Sequence, residues 1–438
     1  MIRNTKTEIQ LAKPTPGQLA WQDYEIGMFI HFDMNLFMPP GWWHDQYENK
    51  PDAKHFNPAK LDADQWMEAA KAMGAKYAVL TANHGTGFML WQTDAYPYGV
   101  RQAAWRNGQG DVVKEFVDAC RRHGIAPGIY SHMLVNGWWQ VNHPGIVNNG
   151  KGGDSERQTQ YAKAKFKATE DLWRNYGPLA ELWFDGGIPD PALAGFDVMP
   201  LLHKYQPNAM VFQSPAATIR WIGNENGQAN ATCWATVPSV PEAMGWEKQG
   251  RTDLLTTGVA DGAAWLPGEC DVPLRRLQWF SLPGDEHLIE SVDTLMGMYR
   301  NTVGRNGNLL LNVGPNSDGL IPEADLQRCR EFGAEIQRRY GKSVAETSGR
   351  GDVVELKLAQ PTEIEHVILM EEIAEGERIR AFVVEGNVGG QWQPLCQAES
   401  VGHKRIEHFT PRVVSAVRLR VTKAAAEPLI RRMAVFTR

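Results

Sequence analysis

Two carboxylates stand out for where they sit. Asp185 directly follows the apolar run Leu182-Trp183-Phe184 and precedes Gly186-Gly187. That places it at the lip of a buried strand, where small neighbours let a ligand approach the backbone. Glu225 ends the Gly/Asn-containing stretch Arg220-Trp221-Ile222-Gly223-Asn224-Glu225. Two carboxylates facing each other across a cleft are what glycosidic bond cleavage needs: one attacks or stabilises the anomeric carbon, the other protonates the leaving oxygen. Each also fits a plainer role, Asp185 as an Asx-turn or cap residue and Glu225 as a solvated loop residue. His31 and His84 are candidate metal ligands, but no third ligand with suitable spacing accompanies them, so hydrogen bonding to hydroxyls suits them better. No Gly-x-Ser-x-Gly is present for a serine hydrolase, and no Gly-x-Gly-x-x-Gly follows a strand. No cofactor is implied.

Parallel strands with right-handed crossovers would hold such groups in place. Short apolar runs are expected as strands over 26–32, 77–81, 125–130, 180–184, 210–212 and 309–313. Amphipathic helices are expected over 62–73, 111–123, 156–176, 198–205, 287–301 and 323–340, with Asp62 as an N-cap and Gly74 and Gly124 as stops. About eight such units in roughly 340 residues predict an α/β fold, a (β/α)8 barrel with insertions. In that fold reactive groups stand at the C-terminal ends of strands. Read that way, the strand ends offer His31 and Asp33, then Asn83 and His84, then Tyr130 with Ser131 and His132. Asp185 and, after the last strand, Asn312 follow, and the segment around Glu269 is a further candidate mouth. After about residue 343 the pattern changes to short alternating runs separated by Gly-rich turns. This predicts a C-terminal antiparallel β-sandwich, giving a catalytic unit over 1–345 and a sandwich over 346–438.

Composition narrows the function. The 438 residues carry 45 Lys+Arg against 51 Asp+Glu, so no basic excess exists to hold a nucleic acid. No run of eighteen apolar residues occurs, which leaves no membrane-spanning helix in the sequence. Residues 1–16 are polar and lack the apolar stretch of a signal peptide. The compartment is cytoplasmic if the chain begins here, and periplasmic or secreted if a leader has been trimmed. The five Cys are widely spaced, which argues against both a disulfide framework and a zinc site. The 16 Trp point to a cleft in which ring faces stack on sugars.

Several segments together resemble the α-L-fucosidases of glycoside hydrolase family 29. Gly27-Met28-Phe29-Ile30-His31-Phe32 is similar to the family's opening strand, and Phe56-Asn57-Pro58 with 61–66 to its entry into the first helix. Residues 75–84 with Gly87-Phe88-Met89-Leu90-Trp91 resemble its second strand. Leu182-Trp183-Phe184-Asp185-Gly186 is similar to the strand bearing the nucleophile, and 308–322 to the last strand and turn. The segment ending in Glu225 looks like the branch that prefers α-1,3/1,4-linked fucose.

The resemblance implies a retaining exo-glycosidase with Asp185 as nucleophile and Glu225 as acid/base. Glu269 is the alternative acid/base, since Trp265…Glu269-Cys270 is similar to the segment where other members place it. His31, Trp43, His84, Trp91, Tyr130, Trp183, Arg220 and Trp279 are then expected to bind the sugar, and Trp42, Trp138 and Trp139 to extend the contacts. The implied partner is an oligosaccharide or glycoconjugate; oligomeric state is left open. The sequence departs from the family where His-His-Asp is replaced by His84-Gly85-Thr86. That keeps a different L-sugar, a modified fucose, or a carbohydrate-binding homologue with weak turnover as alternatives.

Overall fold

The computed structural model describes residues 11–39, 51–147, 155–243 and 252–437. Eight parallel strands form one sheet: β1 (Ile26–Ile30), β2 (Tyr77–Asn83), β3 (Ala126–Ser131), β4 (Glu181–Trp183), β5 (Met210–Phe212), β6 (Arg220–Trp221), β7 (Gly268–Pro273) and β8 (Gly307–Asn312). Hydrogen bonding follows the order β5-β4-β3-β2-β1-β8-β7-β6, and a parallel bridge between Phe212 and Ile219 joins the two ends. The result is a closed barrel of the (β/α)8 kind.

Helices cover the outside for local reasons. Helix α1 (Ala63–Ala72) starts where Asp62 accepts the N–H groups of Asp64 and Gln65. Helix α2 (Val112–His123) starts at Asp111 and ends where Gly124 takes a left-handed conformation at φ 68°. Helices α3 (Ser155–Asn175), α4 (Met199–Tyr205), α5 (Val292–Thr302) and α6 (Glu323–Tyr340) continue the alternation. Outward-facing Met28, Ile30, Leu80 and Leu311 join the helices in the larger core. Inward-facing Phe29, Tyr77, Val79, Tyr130, Trp183, Phe212 and Leu310 fill the barrel. Gly27 makes that filling possible, because a Cβ there would stand 2.4 Å from the Tyr77 ring.

Two strands were not expected at their observed places. β6 is only two residues long, too short for a pattern. β7 places Glu269 and Asp271 inward, so its buried face reads as acidic rather than apolar.

Beyond α6 an antiparallel sheet of six strands begins: β9 (Ala345–Arg350), β10 (Val353–Glu371), β11 (Ile379–Val388), β12 (Gln391–Ala398), β13 (Arg405–Ala424) and β14 (Leu429–Phe436). The apolar runs at 353–358 and 364–370 belong to one strand, β10. Register shifts between Lys357 and Thr362 and between Ile364 and His366 bend its pairing with β13. The sheet thereby folds over its own core of Val367, Leu369, Phe382, Val384 and Val417 as a sandwich. Among the described residues no helix is long and apolar enough to cross a membrane.

Candidate active site

The C-terminal ends of the barrel strands converge on one set of rings and carboxylates. Tyr130, Trp183 and Phe212 are register neighbours on β3, β4 and β5, so their side chains stand at one height inside the barrel. They stack: Tyr130 on Trp183 at 5.3 Å, and Trp183 on Phe212 at 4.1 Å between ring centroids. His84 extends the stack over Tyr130 at 5.6 Å. The His31 ring meets His84 at 5.5 Å and Trp279 at 4.9 Å. Phe280 closes this corner, edge-on to both imidazoles at 5.6 and 5.4 Å. The result is an aromatic pocket floor with imidazole edges, suited to an apolar sugar face and its hydroxyls.

Asp185 stands at this pocket two residues past β4. Its turn is tight: Gly187 N–H returns to the Phe184 carbonyl, and Gly186 and Gly187 take φ of 68° and 99°. Side chains other than Gly are strained there, so the sequence pins the carboxylate to this spot. Tyr130 donates its hydroxyl to Asp185 Oδ2 at 2.9 Å, and His132 Nε2 lies 3.8 Å from the same oxygen. The Asp185 side chain is 48% exposed, so one face of the carboxylate is open to a reactant. Burial and the neighbouring Asp185 charge push the Tyr130 phenol well above its ordinary value, which keeps it a donor.

His31 is held in one orientation. Asn312 Nδ2 donates to the Trp279 carbonyl at 2.8 Å, so its Oδ1 is the atom 2.8 Å from His31 Nδ1. His31 Nδ1 therefore carries the proton and Nε2 offers a lone pair. Burial lowers the imidazole to about 4 against the opposing effects of Asn312 and Asp185, so the ring is neutral near pH 7.

Glu225 follows β6. Desolvation first, and the charge of Asp185 second, raise its carboxyl above the usual value. Asp185 and Glu225 are thus near enough for their charges to interact. A cleft of about 740 Å³ opens beside Glu225, with Asn224, Asn226, Arg276, Leu277 and Trp279 on its walls.

Glu269 is elsewhere. It is the second residue of β7, fully buried, and accepts Tyr77 Oη at 2.6 Å and Trp183 Nε1 at 3.0 Å. Burial and the nearby Glu181 push it well above the carboxylate range. Its place is under the pocket, fixing the Trp183 indole, rather than at the mouth.

Two further sequence expectations are corrected. Arg220 is 1% exposed, and its guanidinium is spent on the carbonyls of Leu255, Leu266 and Trp234 and the Cys233 sulfur. It braces loops behind the pocket instead of lining it. Trp91 is 2% exposed and packs with the outer core between strands and helices. Its ring lies in the outer core with Leu90 and Val112, not among the residues that fill the barrel. Trp138 stacks on Tyr98 at 4.8 Å and Trp139 packs near Tyr96 and Tyr161, so both rings serve the core first. Trp42 and Trp43 lie outside the described residues.

His132, Phe280 and Asn312 complete the site, and of these only Phe280 was not among the strand-end candidates. His132 and Asn312 follow the strand-end rule; Phe280 carries no polar signal. Thr86, standing where the resemblance has a carboxylate, donates to Asp33 Oδ1 at 2.7 Å, so the turn after β1 supplies a carboxyl in that neighbourhood.

Residues 3–341 match the family profile described as Alpha-L-fucosidase. The chain is 30% identical to Alpha-L-fucosidase 1 of Arabidopsis thaliana, over 97% of this chain and 88% of that protein. A candidate alpha-L-fucosidase structure from Bacteroides thetaiotaomicron VPI-5482 is 39% identical and superimposes with a TM-score of 0.92, covering 98% of this chain and 100% of that one. A glycoside hydrolase 29 family member from an unknown rumen bacterium gives 29% identity and a TM-score of 0.83, over 98% of this chain and 78% of that chain. With its barrel and its pocket of stacked rings, the chain belongs to the α-L-fucosidase family of glycoside hydrolases.

Proposed function

We propose that this enzyme is a retaining exo-α-L-fucosidase acting on oligosaccharides or glycoconjugates, with Asp185 as nucleophile and Glu225 as acid/base. The observation that carries the reading is the pairing of an open, Tyr130-bonded Asp185 with a Glu225 whose proton affinity is raised by desolvation and by Asp185 itself. In the first step an Asp185 oxygen bonds to the anomeric carbon while the bond to the leaving oxygen breaks, and that oxygen takes the Glu225 proton. In the second, Glu225 removes a proton from water, whose oxygen bonds to the anomeric carbon as the ester to Asp185 breaks. His31 Nε2 accepts a sugar hydroxyl, and the ring stack supports the apolar sugar face.

The cleft beside Glu225 supports a substrate with an extended aglycone, as expected of the α-1,3/1,4-preferring branch. The Gly85-Thr86 departure from the family's pattern supports a second reading in which the same chemistry serves a modified fucose. We place the catalytic unit at 1–345 and read 346–438 as a packing domain. Polar contacts support that: His403 with Asp23 at 2.8 Å, and buried Glu377 accepting Ala235 N–H at 3.1 Å.

Proton NMR of the first-formed sugar tests the proposal. Incubation with an aryl α-L-fucoside and with a fucosylated trisaccharide should release α-L-fucose before mutarotation. Initial release of the β-anomer would refute retention, and release of a different sugar from a panel of aryl α-L-glycosides would favour the second reading.

A further inference from the structure

Asp271 is a buried carboxyl that the cleavage steps do not use. It stands two residues beyond Glu269 on the inward face of β7 and is 3% exposed. Its Oδ1 accepts the Trp221 indole N–H at 2.8 Å. Trp221 is in register with Glu269, Ile222 N–H donates to the Glu269 carbonyl at 2.9 Å, and the Cys270 thiol reaches the Asn224 carbonyl at 3.7 Å. The segment after β6 therefore runs along β7 and carries Glu225 to Asp271. The ionisable groups facing Asp271 are Glu225 from that segment and Glu269 on its own strand, both acids. On β8 its register partner is the apolar Leu310. Burial first, then these two like charges, favour the proton-bearing form of Asp271.

We infer that Asp271 is a positioning residue for the proton donor: it anchors Trp221, and with it the segment that carries Glu225, while Glu225 alternates between acid and base. The inference rests on Glu225 being the acid/base. When Glu225 gives its proton to the leaving oxygen, it becomes a carboxylate facing Asp271. A protonated Asp271 gives that carboxylate a polar, uncharged neighbour, whereas an ionised one would repel it and hold the proton on Glu225.

The test is the pH dependence of kcat and KM on an aryl α-L-fucoside with a poor leaving group, in wild type, Asp271→Asn, Asp271→Leu and Glu225→Gln. Asp271→Asn keeps an uncharged polar group and the Trp221 acceptor, so activity should stay within about threefold and the basic limb within about 0.3 pH unit. Asp271→Leu removes both, so kcat should fall about thirtyfold with KM within about threefold, and the basic limb should move up by about one unit. A loss of about a hundredfold in Asp271→Asn, or a downward shift of its limb, would mean Asp271 works ionised and would overturn the inference. An unmoved limb in Asp271→Leu would reduce Asp271 to packing, with the same result. Should the Leu variant fail to fold, Asp271→Ala, which removes the same polar group and Trp221 acceptor, is read by the same criteria. A basic limb that persists in Glu225→Gln would overturn the Glu225 reading and this inference with it. A limb lost in Glu225→Gln but unmoved in Asp271→Leu would sink the role of Asp271 alone.

Discussion

Tyr130 donates its hydroxyl to Asp185 Oδ2 at 2.9 Å while its ring stacks on Trp183, so one residue both aims the carboxylate and builds the pocket floor. Tyr130→Phe separates the two jobs. The ring stack survives and the hydrogen bond does not. A hydrogen bond to a charged group contributes about 1.5–3 kcal/mol, so kcat/KM should fall roughly ten- to a hundredfold, with Tm nearly unchanged. A matching fall in Tm would show that the hydroxyl serves the fold instead.

Asp185→Gly should lower kcat by about 10⁴-fold or more, as removal of a nucleophile commonly does. The turn already holds Gly186 and Gly187 at positive φ, so the backbone tolerates the change. Azide should restore part of the turnover and yield a glycosyl azide of inverted configuration. Near-normal turnover without azide would rule Asp185 out.

Glu225→Ala should lose about 10²–10⁴-fold on substrates with poor leaving groups and far less on activated aryl glycosides. Glu269→Gln should not show that dependence, because Glu269 lies under Trp183 with its oxygens occupied. If only the Glu269 variant showed it, the two assignments would have to be exchanged.

Glu181 and Glu269 make stability depend on pH. Burial raises Glu181 to about 7, above the value it has in an unfolded chain, and burial with the Glu181 charge raises Glu269 well above its ordinary value. A carboxyl with a raised folded value stabilises the fold fully below its unfolded value, and that contribution is lost as pH rises through the folded value. Denaturation midpoints should therefore decline from about pH 4.5 to above 7, and Glu269→Gln should flatten the decline. An equally steep decline in the variant would place its source elsewhere.

Arg220→Met should cost stability rather than substrate affinity. It strands buried carbonyls of Leu255, Leu266 and Trp234, each left without its donor. At about 1–3 kcal/mol per unsatisfied group, a total loss of about 3 kcal/mol or more is expected, with KM nearly constant in the folded fraction. A large rise in KM at unchanged Tm would return Arg220 to the pocket.

The sequence by itself determined the barrel and most of the ring of reactive groups. Apolar runs alternate with capped amphipathic helices, and a strand-end position is a local property that can be read for His31, His84, Tyr130 and Asp185. Only the tertiary structure decided which way certain side chains turn and how deep they sit. Arg220 and Trp91 occur in segments that resemble the family's, yet one is drawn to carbonyls from three other segments of the chain and the other lies in the outer core. Glu269 reads as a residue at a strand mouth, but the pairing of Gly268 with Gly307 and Arg220 starts β7 there and sends Glu269 under the pocket. The facing of Asp271 and Glu225 was equally invisible in the sequence. The physical reason is that a buried charge is settled by the partners that surround it. Those partners, such as Tyr77 for Glu269 or Trp221 for Asp271, lie tens to hundreds of residues away and meet only when the barrel closes.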